Sequence, residues 1–125
     1  TTVMTGASCG ELQRPRHEGL ARELRAAGCR VRFRDCDVAG TVAVGLPGTG
    51  IDLSVGVGGA PESVLSAAAL RCLGGALQGV LVQPDGRPLD GTVLRTADLV
   101  REDAAFVASG VTDGCLLRGP RRGRV

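Results

Sequence analysis

Lysine, tryptophan and tyrosine are absent from this chain, and histidine, methionine and phenylalanine are scarce: His17, Met4, and Phe33 with Phe106. Without lysine there is no Walker-type nucleotide loop, which needs an amine on the phosphates. A lone histidine forms no catalytic triad with any identifiable partner, so His17 reads as a surface or capping residue without a catalytic role. With two aromatic residues in 125, the core must be aliphatic, drawn from the valine, leucine and alanine that dominate the 43% hydrophobic fraction. No stretch is long and apolar enough to span a bilayer, and Thr1-Thr2-Val3-Met4 lacks the basic and apolar parts of a signal peptide. The five cysteines (Cys9, Cys29, Cys36, Cys72, Cys115) are odd in number and contain no Cys-x-x-Cys pair. This pattern suits a reducing compartment rather than a disulfide framework, so a soluble, cytoplasmic chain with no membrane partner is expected.

Net charge is +2, but its distribution matters more. Residues 118–125 hold four arginines and no acid, which leaves 11 arginines against 13 acidic residues elsewhere, a net of −2. The body is therefore not basic. The arginine-rich tail has neither interleaved aromatics nor a recognised binding motif, so it reads as a solvated end and no nucleic-acid partner is expected. At 125 residues the chain can bury a core without disulfides, and residues 1–125 read as a single domain.

The most informative stretch runs from Gly50 to Gly75. Ile51 to Val57 is short, β-branched and bounded by glycines, as expected of a strand covered on both faces. Gly58-Gly59 lets the backbone turn with no side chain between its peptide planes and a ligand. Pro61 suits the first helical position, and Glu62 in the first turn is favoured by the helix dipole. The helix that follows is apolar nearly all round, so it is expected between layers, and Gly74-Gly75 ends it. A strand, a glycine turn and a helix start together aim free N–H groups at an anion. The dinucleotide fingerprint fails, because Gly56-Val57-Gly58 runs on into Gly59-Ala60-Pro61.

Elsewhere, Thr1–Met4 predicts a short strand and Pro15 to about Ala27 an amphipathic helix with Leu20, Ala21, Leu24 and Ala27 on one side. Cys29–Arg34 alternates arginine with Val31 and Phe33, a half-buried strand near a sheet edge. Asp35-Cys36-Asp37 is a turn and Val38–Leu46 a short helix stopped by Pro47-Gly48. An apolar strand is expected around Gly79–Val82, a tight turn at Pro84-Asp85-Gly86, one helical turn at Thr96–Val100 with Thr96 as its cap, and a last strand at Ala104–Ala108. Strands alternating with helices predict a layered α/β fold. Arg14 and Arg16 flank Pro15 at a helix start, where arginine is not ordinarily favoured but a phosphate would accept charge-assisted hydrogen bonds. Asp35 and Asp37 lie at the C-terminal end of a strand, the usual ligand side of an open α/β sheet. As isolated residues, all of these also suit surface or turn positions.

Several blocks, in order, resemble the class II fructose-1,6-bisphosphatases: Arg14-Pro15-Arg16-His17, Asp35-Cys36-Asp37-Val38-Ala39-Gly40, Gly48-Thr49-Gly50-Ile51-Asp52-Leu53 with Gly58-Gly59-Ala60-Pro61-Glu62 and Ala68–Gly75, then Gly110-Val111-Thr112-Asp113-Gly114 with Leu116-Leu117-Arg118-Gly119. The resemblance implies a metal-dependent phosphatase converting fructose 1,6-bisphosphate to fructose 6-phosphate, with the layered fold of the inositol-monophosphatase group. Carried over by motif, Arg14, Pro15, Arg16, Asp35, Cys36, Asp37 and Gly59 would bind the phosphorylated sugar and Glu62 would ligate Mn²⁺ or Mg²⁺. No catalytic group is carried over, because the resemblance reaches only the C-terminal part of the enzyme. A homo-oligomer or a complementary N-terminal half is the expected partner. The alternative is a non-enzymatic sugar-phosphate-binding module or an inactive fragment that associates with a complementary chain. Cys36 and Ser63 stand where the family has glycine, and Cys115 where it has aspartate. Pro84–Gly91 is also shorter than the helical region the family would place there.

Overall fold

The computed structural model describes residues 2–7, 15–34, 37–114 and 116–121. Along them run β1 (Thr2–Ala7), α1 (Pro15–Ala26), β2 (Arg30–Arg34), α2 (Asp37–Gly45), β3 (Leu53–Val57), α3 (Ala60–Leu73), β4 (Gln78–Val82), β5 (Pro88–Arg95) and α4 (Thr96–Leu99). The fold is α/β, as the alternation of strand and helix patterns predicts.

β1, β2 and β3 form one parallel sheet in the order β2-β1-β3. Val3 lies between Val31 and Leu53, and Gly6 between Arg34 and Gly56. The chain thus crosses from β1 to β2 in one direction and back past β1 to β3 in the other. Two right-handed crossovers travelling in opposite directions carry their helices to opposite faces. Accordingly α1 packs on β1 and β2, while α2 packs on β1 and β3 and against α3.

α2 packs against α3 with Gly45 next to Leu70 and Leu73. Ala43 of α2 and Ala67, Ala69 and Leu70 of α3 are buried. A methyl group at Gly45 would sit 2.9 Å from the Leu73 Cβ, so glycine is what lets α2 end against α3. Burying one leucine such as Leu70 contributes about 2 kcal/mol, whereas each alanine contributes only a methyl group. Below α2 the Thr49 hydroxyl staples the turn into β3. It donates to the Ala43 carbonyl at 2.6 Å and accepts the Ile51 N–H at 3.4 Å. Ile51 then packs with Ala43, Val44 and Leu116. α3 stops at Gly74, whose φ of 75° only glycine adopts without strain, and the Gly75 N–H closes on the Leu70 carbonyl at 2.8 Å.

Several sequence expectations require correction. β3 is not covered on both faces: Leu53 is 44% and Val57 37% exposed, because β3 is an edge strand. α3 buries Ser66, Ala67, Ala69 and Leu70 but leaves Val64 and Leu65 in solvent, so one side of it has no layer above it. The helix begins at Ala60, one residue before Pro61. Ala104–Ala108 is not a strand, and the described residues after α4 carry no regular element. Thr96 does not cap α4; Arg95 precedes it, with its N–H donated to the Asp98 carboxylate at 2.8 Å. The Thr96 hydroxyl instead accepts the Leu77 N–H at 2.7 Å and ties α4 to the start of β4.

β5 is the element that the sequence patterns did not predict. It pairs antiparallel with β4 across the expected Pro84-Asp85-Gly86 turn, closed by the Gly86 N–H on the Gln83 carbonyl at 2.8 Å. Asp85 holds that turn. One carboxylate oxygen accepts the Arg87 N–H at 3.0 Å and the other lies 2.7 Å from Arg87 Nε and Nη2. The Arg87 guanidinium, and then its backbone N–H, keep the Asp85 carboxyl below the usual carboxylate range.

Two outcomes follow from this packing. Gly45→Ala should lower stability by about 1–2 kcal/mol in chemical denaturation despite alanine's better helix propensity, because overpacking against Leu73 outweighs it; a more stable variant would contradict the close approach. Since the Asp85 pKa is depressed on folding, its contribution is present above the unfolded carboxylate pKa and is lost as pH falls through the folded value. Carboxyl NMR should find Asp85 titrating below an ordinary aspartate in the native chain and rising toward the ordinary value in Arg87→Ala, which removes the guanidinium but keeps the backbone N–H.

Candidate functional site

All three strands of the sheet are parallel, so their C-terminal ends lie on one edge. At that edge the register sets Ala7, Arg34 and Val57 at or near the ends of neighbouring strands. Each strand is followed by a helix whose N-terminus starts on the same side. α1 starts at Pro15, α2 at Asp37 and α3 at Ala60. In the order β2-β1-β3 the chain leaves β1 to one side and returns on the other, which opens a crevice at the carboxyl ends of β1 and β3.

The sequence-predicted residues map onto this edge as follows. Pro15 and Arg16 are the first two residues of α1, and Asp37 is the first of α2. Gly59 is the residue before α3, and Glu62 lies in the first turn of that helix. Arg14, Asp35 and Cys36 fall outside the described residues, as do Cys9, Cys115 and the end of the arginine-rich tail. The topology therefore gathers the starts of three helices at one rim rather than scattering them.

At the α3 corner the backbone geometry is explicit. Gly59 is extended, with φ −73° and ψ 154°, and its carbonyl accepts both the N–H and the hydroxyl of Ser63, at 3.1 and 3.0 Å. Ser63 thus acts as a local helix-start residue. The Glu62 carboxylate folds back over Gly59, into the space that a Cβ there would occupy. Glu62 is exposed at the rim. A helix N-terminus carries roughly half a positive charge and unpaired N–H groups, so the turn suits an anion and Glu62 suits a cation beside it.

The block at Gly110–Gly119 is built for a different purpose. The Asp113 carboxylate accepts the Gly119 N–H at 2.8 Å, and the Gly114 N–H reaches the Leu117 carbonyl at 2.9 Å. A Cβ at Gly110 would lie 2.5 Å from the Arg118 carbonyl oxygen, and one at Gly119 3.0 Å from Thr112. These glycines and the aspartate let two stretches of backbone cross, which accounts for Asp113 as turn chemistry.

A cavity of about 630 Å³ lies between α2, α3 and residues 106–117, walled by Val42, Leu46, Leu73, Phe106 and Leu116 among others. Its lining among the described residues is mostly apolar and carries no charge. Among the described residues, no three histidine, cysteine, aspartate or glutamate side chains gather closely enough to hold a metal ion. No helix among them is long and apolar enough to cross a membrane.

Comparison with known proteins bears on the same residues. Residues 7–124 match the family model described as "Bacterial fructose-1,6-bisphosphatase, glpX-encoded". The chain is 37% identical over 134 aligned residues to the D-fructose 1,6-bisphosphatase class 2/sedoheptulose 1,7-bisphosphatase of Crocosphaera subtropica, an alignment covering 88% of this chain and 39% of the relative. The proteins of that name from Synechococcus sp. strains JA-3-3Ab and JA-2-3B'a(2-13) match with the same identity and coverage. The chain thus spans about two fifths of the length of these curated relatives. With the motif blocks in order and the family match running almost end to end, the chain belongs to the bacterial class 2 fructose-1,6-bisphosphatase family.

Proposed function

We propose that this chain forms the sugar-phosphate-binding side of a class 2 fructose-1,6-bisphosphatase, within an enzyme that hydrolyses fructose 1,6-bisphosphate to fructose 6-phosphate and phosphate. The observation that carries this reading is that the starts of α1, α2 and α3 follow three neighbouring parallel strands and so share one edge of the sheet. The names of the relatives extend the substrate class to sedoheptulose 1,7-bisphosphate.

Arg14 and Arg16 would hold a phosphate by charge-assisted hydrogen bonds, for which a guanidinium has matching donor geometry. The turn at Gly58-Gly59 would offer N–H groups at the start of α3 to a phosphate oxygen. Asp35 and Asp37 would accept hydrogen bonds from sugar hydroxyls, with the backbone at Cys36 between them. Together these groups bind and orient the substrate. A divalent cation, Mn²⁺ or Mg²⁺, supplies phosphate polarisation and water activation in such enzymes. Glu62 is the ligand this chain would contribute. The described residues do not form a complete ligand set around it, and the remaining ligands would come from beyond them.

The domain would then be a single layered unit corresponding to the C-terminal half of the inositol-monophosphatase-like sugar-phosphatase fold. A second reading is a non-enzymatic sugar-phosphate-binding module or inactive fragment. The exposed Val64 and Leu65 beside Glu62 favour a covering chain in either case.

Calorimetric titration of the purified chain with fructose 1,6-bisphosphate should give saturable binding that weakens with salt. Arg16→Ala should weaken it about 10- to 100-fold, the loss expected for a charge-assisted phosphate contact. Phosphate release by the chain with added Mn²⁺ or Mg²⁺ should be absent or slow. Undetectable binding at millimolar ligand would refute the substrate-binding role, and efficient phosphate release would refute the incomplete ligand set.

A further inference from the structure

Three aspartates in this chain precede a glycine, Asp85-Gly86, Asp90-Gly91 and Asp113-Gly114, and the chain contains no asparagine. An aspartyl-glycyl step carries its own reactive pair, because the glycine amide nitrogen meets the aspartyl side-chain carbon with no Cβ in the way. The fold treats the three steps differently. At the first, the Gly86 N–H is donated to the Gln83 carbonyl at 2.8 Å and the Asp85 carboxylate lies 2.7 Å from the Arg87 guanidinium. At the last, the Gly114 N–H is donated to the Leu117 carbonyl at 2.9 Å and the Asp113 carboxylate accepts the Gly119 N–H at 2.8 Å. Both turns tie down the nitrogen and the carboxylate together.

Asp90-Gly91 lies in an irregular stretch of β5. The hairpin pairs Val82 with Pro88 and Val80 with Val93, so Leu81 on one strand stands against residues 89–92 on the other. Asp90 and Gly91 are both exposed. One Asp90 carboxylate oxygen accepts the Thr92 N–H at 2.8 Å, which folds the side chain back across the Gly91 peptide. Asp85 makes the same contact two residues on, with the Arg87 N–H at 3.0 Å. The two steps therefore share the folded-back side chain and differ in the guanidinium that holds Asp85.

We propose that Asp90-Gly91 is a site of spontaneous isoaspartate formation, the step among the three that the folded chain leaves open to this reaction. The Gly91 amide nitrogen attacks Cγ of the protonated Asp90 carboxyl. A C–N bond forms, the C–OH bond breaks, and the amide proton leaves with the hydroxyl as water. The resulting five-membered succinimide takes up water at either carbonyl. Addition at Cγ restores aspartate, and addition at the main-chain carbonyl of Asp90 leaves the backbone running through Cβ with a free α-carboxylate. The Thr92 N–H stabilises the oxyanion that forms at Cγ during attack. The extra main-chain carbon falls where β5 already carries more residues than β4 opposes, so the flanking pairs keep their register. At Asp85 the guanidinium keeps the carboxyl ionised, which removes the hydroxyl that must leave. The reaction uses Asp90, Gly91 and solvent alone, and it stands independently of the sugar-phosphate reading.

The test compares the full chain, native and in denaturant, during storage in warm, mildly acidic buffer, with isoaspartate located by electron-transfer fragmentation of its peptides. In denaturant the three steps should react at similar rates. In the native chain Asp90 should stay within about threefold of its denatured rate, while Asp85 and Asp113 slow by about tenfold or more. Asp90→Glu should remove most of the isoaspartate of the native chain, read as methyl transfer from S-adenosylmethionine by an isoaspartyl methyltransferase. Protection of Asp90 equal to that of the other two steps would overturn the proposal. So would isoaspartate accumulating in the native chain mainly at Asp85 or Asp113.

Discussion

Parallel pairing of β1 with both β2 and β3 is the constraint from which the rest of the molecule follows. A central strand with a parallel neighbour on each side forces two crossovers of opposite travel. Those crossovers set α1 and α2 on opposite faces and leave a gap in the chain path at the carboxyl ends of β1 and β3. Three helix starts share that edge of the sheet, and the first N–H groups of any helix have no partner within it. The placement of arginine, aspartate and glutamate blocks at those starts then adds charge to a location that the backbone already makes suitable for an anion. The family match covers residues 7–124, and the topology brings the described motif blocks at Pro15-Arg16, Asp37 and Gly59–Glu62 to one edge of the sheet.

Packing on one side of the sheet is economical to the point of austerity. Gly45 of α2 meets Leu70 and Leu73 of α3, the buried residues are mostly alanines, and the larger apolar residues Val64, Leu65, Leu53 and Val57 remain in solvent. The hairpin of β4 and β5 also exposes Val80, Leu81, Val82, Leu89 and Val93. Scattered exposed leucines need no explanation, but this many on adjoining elements mark surfaces that other chain covers. The relatives are longer by a wide margin.

Much of the fold was legible because the first three strands and helices carry clean local signals. The arginine alternation of 30–34 marks an edge strand, and Gly58-Gly59 followed by Ala60-Pro61-Glu62 marks a turn into a helix. Burial was less legible. The continuous apolar run at 51–57 resembles a strand covered on both faces, yet it ends the sheet, because periodicity reports what a segment can bury and not what is there to bury it. β5 was missed since Gly91 and Asp90 interrupt the pattern, although Asp85-Gly86 between two valine-rich stretches was a hairpin signal. Ala104–Ala108 has strand composition but is paired with no strand among the described residues. The strand-to-helix turns that carry Pro15, Arg16, Asp37, Gly59 and Glu62 were legible from motif order, whereas the folding of the Glu62 carboxylate back over Gly59 is visible only in three dimensions.

The account's central claim is that three separate corners of the sheet edge act as one binding site. Amide NMR during titration with fructose 1,6-bisphosphate tests it most directly. The amide resonances of Arg16, Asp37, Gly58, Gly59, Ala60 and Glu62 should shift together along one isotherm, with those of the β4–β5 hairpin unmoved. Shifts confined to a single corner, or corners that saturate at different ligand concentrations, would contradict it.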